Sequence, residues 1–93
     1  MFRRGVPTNL EQEYHRVIVR VPDDVYNISK WDSLSVYGFI HDVIYAWIKD
    51  NMDDCDCLFE TYLRADAKGL IVGADVHLWF TDISAAAICR LKF

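Results

Sequence analysis

Residues 33–51 carry apolar side chains at most positions and polar ones on a single narrow stripe. The stripe is formed mainly by Ser35, Gly38, Asp42 and Lys49. Its spacings of three, four and seven predict a helix of about five turns at 3.6 residues per turn. The apolar surface is wider than the roughly 100° that one sheet covers. We therefore expect a core helix that is also covered by a second helix, a second copy of the chain or a foreign partner.

Three other stretches, residues 14–21, 58–63 and 70–81, alternate apolar and polar side chains, as half-buried strands do. In the last of them one face is predicted to hold Val72, Ala74, Val76, Leu78 and Phe80, and the other Ile71, Asp75, His77 and Trp79. Residues 64–69 are predicted to turn, with Gly69 at positive φ. Gly73 within a strand predicts a bulge or a close backbone contact.

Asp82 is predicted to cap a final helix over 83–92, whose Ile83, Ala87 and Leu91 would lie beside the first helix. The order β-α-β-β-α predicts an α+β two-layer sandwich. It resembles a ferredoxin-like fold that lacks its last strand, which would leave one sheet edge free for the N-terminal arm or a second copy. Residues 1–13 have no periodicity and are predicted to be that arm, extended or mobile, so 14–93 form the single domain.

Composition narrows the classes of function. The 93 residues are 53% hydrophobic with a net charge of −4, and the scattered basic residues disfavour direct nucleic-acid binding. Three cysteines without framework spacing fit a reducing compartment. There is no signal peptide and no apolar run of membrane-spanning length, so we expect a soluble, cytoplasmic protein without membrane contact.

An acidic run follows the long helix. It comprises Asp50, Asp53, Asp54, Asp56 and Glu60, with no basic residue among them. Acids at a helix C-terminus oppose the helix dipole, so the sequence is using the charge or exposing it to solvent. A solvated loop and a surface for a basic, nucleic-acid-binding partner are both consistent with the run. Calcium binding is disfavoured because the DxDxDG loop is absent.

Motifs for metal binding and catalysis are weak. Cys55, Cys57 and Cys89, with His41 and His77, lack the paired spacing of zinc sites. Cys57, His77 and Asp75 form a nominal nucleophile set, but no strained elbow or phosphate-cradling glycine loop accompanies them. We expect no enzyme, cofactor or metal. A small enzyme or nucleotide-binding module using those three residues is the alternative.

The second face of the last predicted strand is the more informative surface. If both helices cover the first face, Asp75, His77 and Trp79 would face solvent together with Tyr62. Exposed apolar patches mark interfaces, and Trp and Tyr are enriched at binding hot spots. The alternative is that the N-terminal arm covers this face. An RNA-stacking sheet is disfavoured because its only basic neighbours would be Arg16, Arg20 and Arg64.

The C-terminal stretch LWFTDISAAAICRLKF resembles the ending of small accessory proteins of tailed bacteriophages. The matching positions are Phe80, Asp82, Ala86, Leu91 and Phe93, whereas Cys89 and Arg90 depart from the usual Phe-Lys. This resemblance implies an inhibitor of a host factor, of the anti-CRISPR or a similar anti-defence type, or a structural role in the virion. We therefore expect a protein-binding module with a host protein as partner that also forms homodimers, and a self-assembling virion subunit is a further alternative.

Overall fold

A computed structural model describes residues 1–8, 11–23, 33–52 and 55–93. A mixed sheet contains β1 (Phe2–Arg4), β2 (His15–Arg20), β3 (Cys57–Ala65) and β4 (Ile71–Phe80). Helix α1, residues 33–51, runs through α-helical Ser33–Phe39, π-helical Ile40–Tyr45 and α-helical Ala46–Asn51, and α2 is Ile83–Lys92. Both helices contribute buried residues to one core against one face of the sheet. The predicted α+β two-layer architecture is confirmed.

The strand order is β1-β3-β4-β2. Strand β4 pairs antiparallel with both β2 and β3, whereas β1 pairs parallel with β3. The arm therefore contains a strand that alternation did not predict, because three residues are too few to show a period. The arm occupies the edge along β3. Among the described residues no strand pairs with the other edge, along β2.

The core is built from the inward positions of three strands and from one side of each helix. The sheet contributes Val17, Val19, Val21, Cys57, Phe59, Ala74, Val76, Leu78 and Phe80, and the helices contribute Ile40, Ile44, Ile48, Ala85, Ala86 and Cys89. The predicted alternation of β4 is confirmed from Ala74 to Phe80. Both described helices pack on this side of the sheet, so the opposite face carries neither of them.

At the start of β4 the predicted faces are wrong. Ile71 packs against the core and Val72 is exposed, the reverse of the prediction. The register shifts there, since Arg64 is opposite Gly73 whereas Ala65 is opposite Ile71. One unpaired residue inverts which face the preceding side chains occupy. The predicted turn is confirmed: Gly69 has φ +82° and the Asp66 carboxylate accepts hydrogen bonds from two backbone amides of the turn.

Helix α2 begins as predicted but presents another face to the core. The Asp82 carboxylate accepts a hydrogen bond of 2.8 Å from the amide of Ser84. The predicted packing stripe of Ile83, Ala87 and Leu91 is exposed, Leu91 at 89%. Small side chains, Ala85, Ala86 and Cys89, are buried instead, which lets the helix approach β2 and β4 closely.

The wide apolar surface of α1 has a third cover in addition to the sheet and α2. Phe2 of β1 stacks on Tyr45 with ring centroids 4.8 Å apart, and on Phe59 at 4.5 Å. The guanidinium carbon of Arg4 lies 5.3 Å from the ring centroid of Tyr37. The N-terminal arm thus packs against α1 at Tyr37 and Tyr45.

Candidate protein-interaction face

The sheet surface opposite the helices, called here the outer face, gathers side chains from three strands. It consists of Arg16, Ile18, Arg20, Leu58, Glu60, Tyr62, Arg64, Asp75, His77 and Trp79, which alternate with the core positions. The predicted association of Tyr62 with Asp75, His77 and Trp79 is seen in the structure. It follows from the β3–β4 register, in which Tyr62 is opposite Asp75 and Glu60 is opposite His77.

Three rings form a row across the outer face. The ring centroids of Tyr62 and His77 lie 4.5 Å apart, and the ring centroids of His77 and Trp79 lie 5.8 Å apart. Tyr62 is exposed, and Ile18 on the neighbouring strand is exposed at 51%. Rigid aromatic side chains held on a sheet offer contact area at low entropic cost, which is the character of a binding hot spot.

His77 is held neutral within this row. Partial burial lowers the pKa of His77, the positive charge of Arg16 lowers it further, and Asp75 opposes the shift. Protonation in the middle of the row is thus disfavoured at neutral pH. The ring of His77 therefore acts there as an uncharged, flat contact surface.

The acids on the outer face are paired with arginines. Nε of Arg4 donates to a carboxylate oxygen of Glu60 at 3.1 Å. Nε of Arg64 lies 3.1 Å from Oδ1 of Asp75, although its N–H does not point at that oxygen as a hydrogen bond requires. The Arg64 guanidinium occupies the space that a Cβ on Gly73 would fill. This side-chain contact explains the glycine, and the predicted bulge is present beside it, since the register shifts between Gly73 and Ile71.

The open charges on this face are positive, in contrast to the negative chain. Arg16 is exposed, and Arg20 is 66% exposed and forms a long ion pair of 4.0 Å with Asp23. The two acids of this face are each held by an arginine, as described above. The net charge of the chain does not reveal that the exposed charges of the outer face are positive, because ion pairs between strands decide which charges are neutralised.

The arm covers one end of the outer face. A shallow depression there is lined by residues that include Arg3, Val6, Thr8, Tyr14 and Leu58. The alternative prediction, in which the N-terminal arm covers this face, therefore holds for the part of the outer face near Leu58. Among the described residues, no second layer stands over Tyr62.

The described members of the acidic run, Asp50, Asp56 and Glu60, belong to different parts of the fold. Asp50 is exposed in the last turn of α1, Asp56 accepts a hydrogen bond from the Met1 amino group at 2.8 Å, and Glu60 belongs to the outer face. The contact with that amino group, together with its charge, lowers the pKa of Asp56. Asp53 and Asp54 lie outside the described residues. A basic partner for this run stays a prediction.

The nominal nucleophile set is divided by the sheet. The side chain of Cys57 is buried on the helix side, whereas His77 and Asp75 are on the outer face. These three residues are therefore not brought together. Within the described ranges, no three His, Cys, Asp or Glu side chains lie close enough to hold a metal ion.

The cysteines provide a direct test of this placement. Burial raises the pKa of Cys57 well above its usual range and that of Cys89 to about 11. Burial also raises the pKa of the half-buried Cys55. Because the thiolate is the reactive form, we expect iodoacetamide at pH 8 to leave Cys57 and Cys89 unmodified in the native protein and to label all three thiols in denaturant. Mass spectrometry of peptides would read this out, and rapid native labelling of Cys57 would contradict it.

Comparison with protein-family models, with curated proteins and with solved structures finds no match to this chain. None of the helices in the described part of the chain is long and apolar enough to cross a membrane. The outer face therefore has to be interpreted from its own geometry.

Proposed function

We propose that this protein is a small, non-enzymatic protein-binding module that acts by covering a surface of its partner with the outer face. The row of Tyr62, His77 and Trp79 carries this proposal, because it presents aromatic area on a rigid sheet. Around the row lie exposed arginines. The complementary surface would therefore be apolar at its centre and acidic at its rim.

The biological role that best fits is inhibition of a host factor by a phage-encoded protein of the anti-defence type, acting in the host cytoplasm. The resemblance of the C-terminal stretch to phage accessory proteins supports this role. So does the outer face, on which the described residues place an aromatic row beside exposed arginines. The spatial order β2-β4-β3, with the crossover through α1, supports a ferredoxin-like arrangement without its last strand.

Affinity capture from a bacterial lysate, followed by binding measurements with the purified captured protein, would test the proposal. We expect Trp79→Ala to weaken binding by at least about tenfold, because truncation of a hot-spot aromatic costs about 2 kcal/mol or more. Leu91→Ala is the matched control, since Leu91 is an exposed apolar residue on the opposite layer. It is expected to bind as the wild type does.

Equal affinity of the Trp79→Ala and wild-type proteins, with both folded, would place the interface elsewhere. Sedimentation velocity on the same samples would examine the predicted homodimer and the virion-subunit alternative. A dimer of fixed size agrees with the module proposed here. Open-ended assembly that increases with concentration, without any captured protein, would favour the virion subunit.

A further inference from the structure

The edge of the sheet along β2 has backbone groups directed away from the molecule. The amide of Val21 donates to the carbonyl of Ala74 at 3.0 Å, and these two residues continue the antiparallel register of β2 with β4. Along two antiparallel strands, opposite residues that are hydrogen-bonded to each other alternate with opposite residues that are not. The backbone groups of the second kind point away from the partner strand. The amides and carbonyls of Arg16, Ile18 and Arg20 therefore point outward from the sheet.

The structure itself shows that this edge accepts a hydrogen bond. Nη2 of Arg90, from α2, donates to the outward carbonyl of Arg16 at 2.7 Å. Charged side chains laid against an edge are a common protection against unwanted pairing. At Ile18 and Arg20 the described residues provide no such backbone partner.

Next to this edge is an apolar groove between β2 and the two helices. Its lining includes Val19, Phe39, Val43, Lys92 and Phe93. A strand added to β2 would place alternate side chains in this groove and the others beside Arg16, Ile18 and Arg20 on the outer face. Side chains of the added strand that enter the groove would be apolar, and those that lie beside Arg16 and Arg20 would be acidic.

The same charges disfavour a second copy at this edge. A symmetric antiparallel pairing of β2 with itself about Ile18 would set Arg16 of each copy opposite Arg20 of the other. Like charges at directly opposite positions destabilise a strand pair. The occupant that fits is therefore a foreign extended segment with acids at alternate positions.

We propose that the β2 edge binds an extended acidic segment of a partner protein as an added antiparallel strand. This inference goes beyond the outer-face function, since it uses backbone groups and a groove that the aromatic row does not contact. Main-chain hydrogen bonds would provide affinity, and the alternation of acidic and apolar side chains would provide specificity.

The test uses a seven-residue fluorescent peptide that alternates glutamate with valine, and fluorescence polarisation as the readout. Ile18→Pro removes an outward amide without removing a bond to β4, so the fold is expected to persist. We expect this variant to bind the peptide at least about tenfold more weakly than wild type, whereas Ile18→Val binds equally well. Trp79→Ala should leave peptide binding unchanged, which separates this site from the outer-face function.

Charge reversal gives an independent readout if Ile18→Pro does not fold. The double variant Arg16→Glu with Arg20→Glu should lose the glutamate peptide and prefer a peptide that alternates lysine with valine. Absence of saturable binding to wild type, or unchanged binding by the folded proline or reversed variants, would overturn the proposal. A wild-type dimer that Ile18→Pro dissociates would also overturn it, because the occupant would then be a second copy.

Discussion

Ala86→Asp is expected to lower the free energy of unfolding by at least about 3 kcal/mol, the cost of an uncompensated charge in the core. Ala86 is fully buried in the face of α2 that packs on β2 and β4. No buried cation is present among the described residues to pair with the new carboxylate. For a domain of this size such a loss is a large part of the total stability of about 5–15 kcal/mol. Urea denaturation followed by circular dichroism would measure it.

The adjacent residue provides the control. Ala87 is exposed, so Ala87→Asp is expected to cost at most the difference in helix propensity, about 0.7 kcal/mol. The sequence pattern of Ile83, Ala87 and Leu91 predicts the opposite order. Greater damage from Ala87→Asp than from Ala86→Asp would therefore show that α2 is rotated from the orientation described. Repeating both at acidic pH should reduce the deficit of Ala86→Asp, since protonation removes the buried charge.

Ile44→Ala is expected to lower the free energy of unfolding by about 2–5 kcal/mol, the range for large-to-small substitutions in a packed core. Ile44 has no exposed surface and lies in the π-helical segment between Ile40 and Ile48, which are also buried. Removing most of its side chain leaves a cavity between α1 and the sheet, and the neighbouring strands can fill it only in part.

Val43→Ala is the matched control for that prediction. Val43 is 41% exposed, and its truncation is expected to change stability by no more than about 0.5 kcal/mol. The contrast follows from helical spacing, because Ile40, Ile44 and Ile48 recur every four residues on the buried side of α1 and Val43 lies off that row. Equal costs at Val43 and Ile44 would contradict this assignment of the two side chains. Thermal denaturation of the same variants would provide a second measurement.

Together, the outer face and the β2 edge form a continuous surface that begins at the aromatic row and ends at Ile18. Arg16 and Arg20 belong to both. The two experiments separate them because Trp79→Ala changes a side chain of the aromatic row, whereas Ile18→Pro removes a backbone donor of the β2 edge and replaces a side chain that is not part of that row. A partner that uses both would present an acidic extended segment next to an apolar patch.

The sequence by itself determined most of the sheet faces and every described element except β1. Alternation from Ala74 to Phe80 reflects a strand with one buried side, and the Asp82 cap and the Gly69 turn depend on short-range hydrogen bonds and backbone conformation. Such interactions act within a few residues, so the local pattern specifies them. The association of Tyr62 with His77 and Trp79 followed from the same alternation, once β3 and β4 were paired as a hairpin.

Only the tertiary structure decided which apolar face of α2 is buried, where the arm pairs, and which charges stay open. Ile83, Ala87 and Leu91 recur at helical spacing, but the face that packs against the sheet is the one with Ala85, Ala86 and Cys89, which carries no large side chain such as Ile83 or Leu91. The pairings of Arg4 with Glu60 and Arg64 with Asp75 join distant parts of the chain or opposite strands. Cys57 and His77 are on opposite sides of one sheet because Cys57 is opposite Phe80 in the register, and Phe80 and His77, three positions apart on β4, point to opposite faces. These outcomes depend on packing between elements, which no local pattern contains.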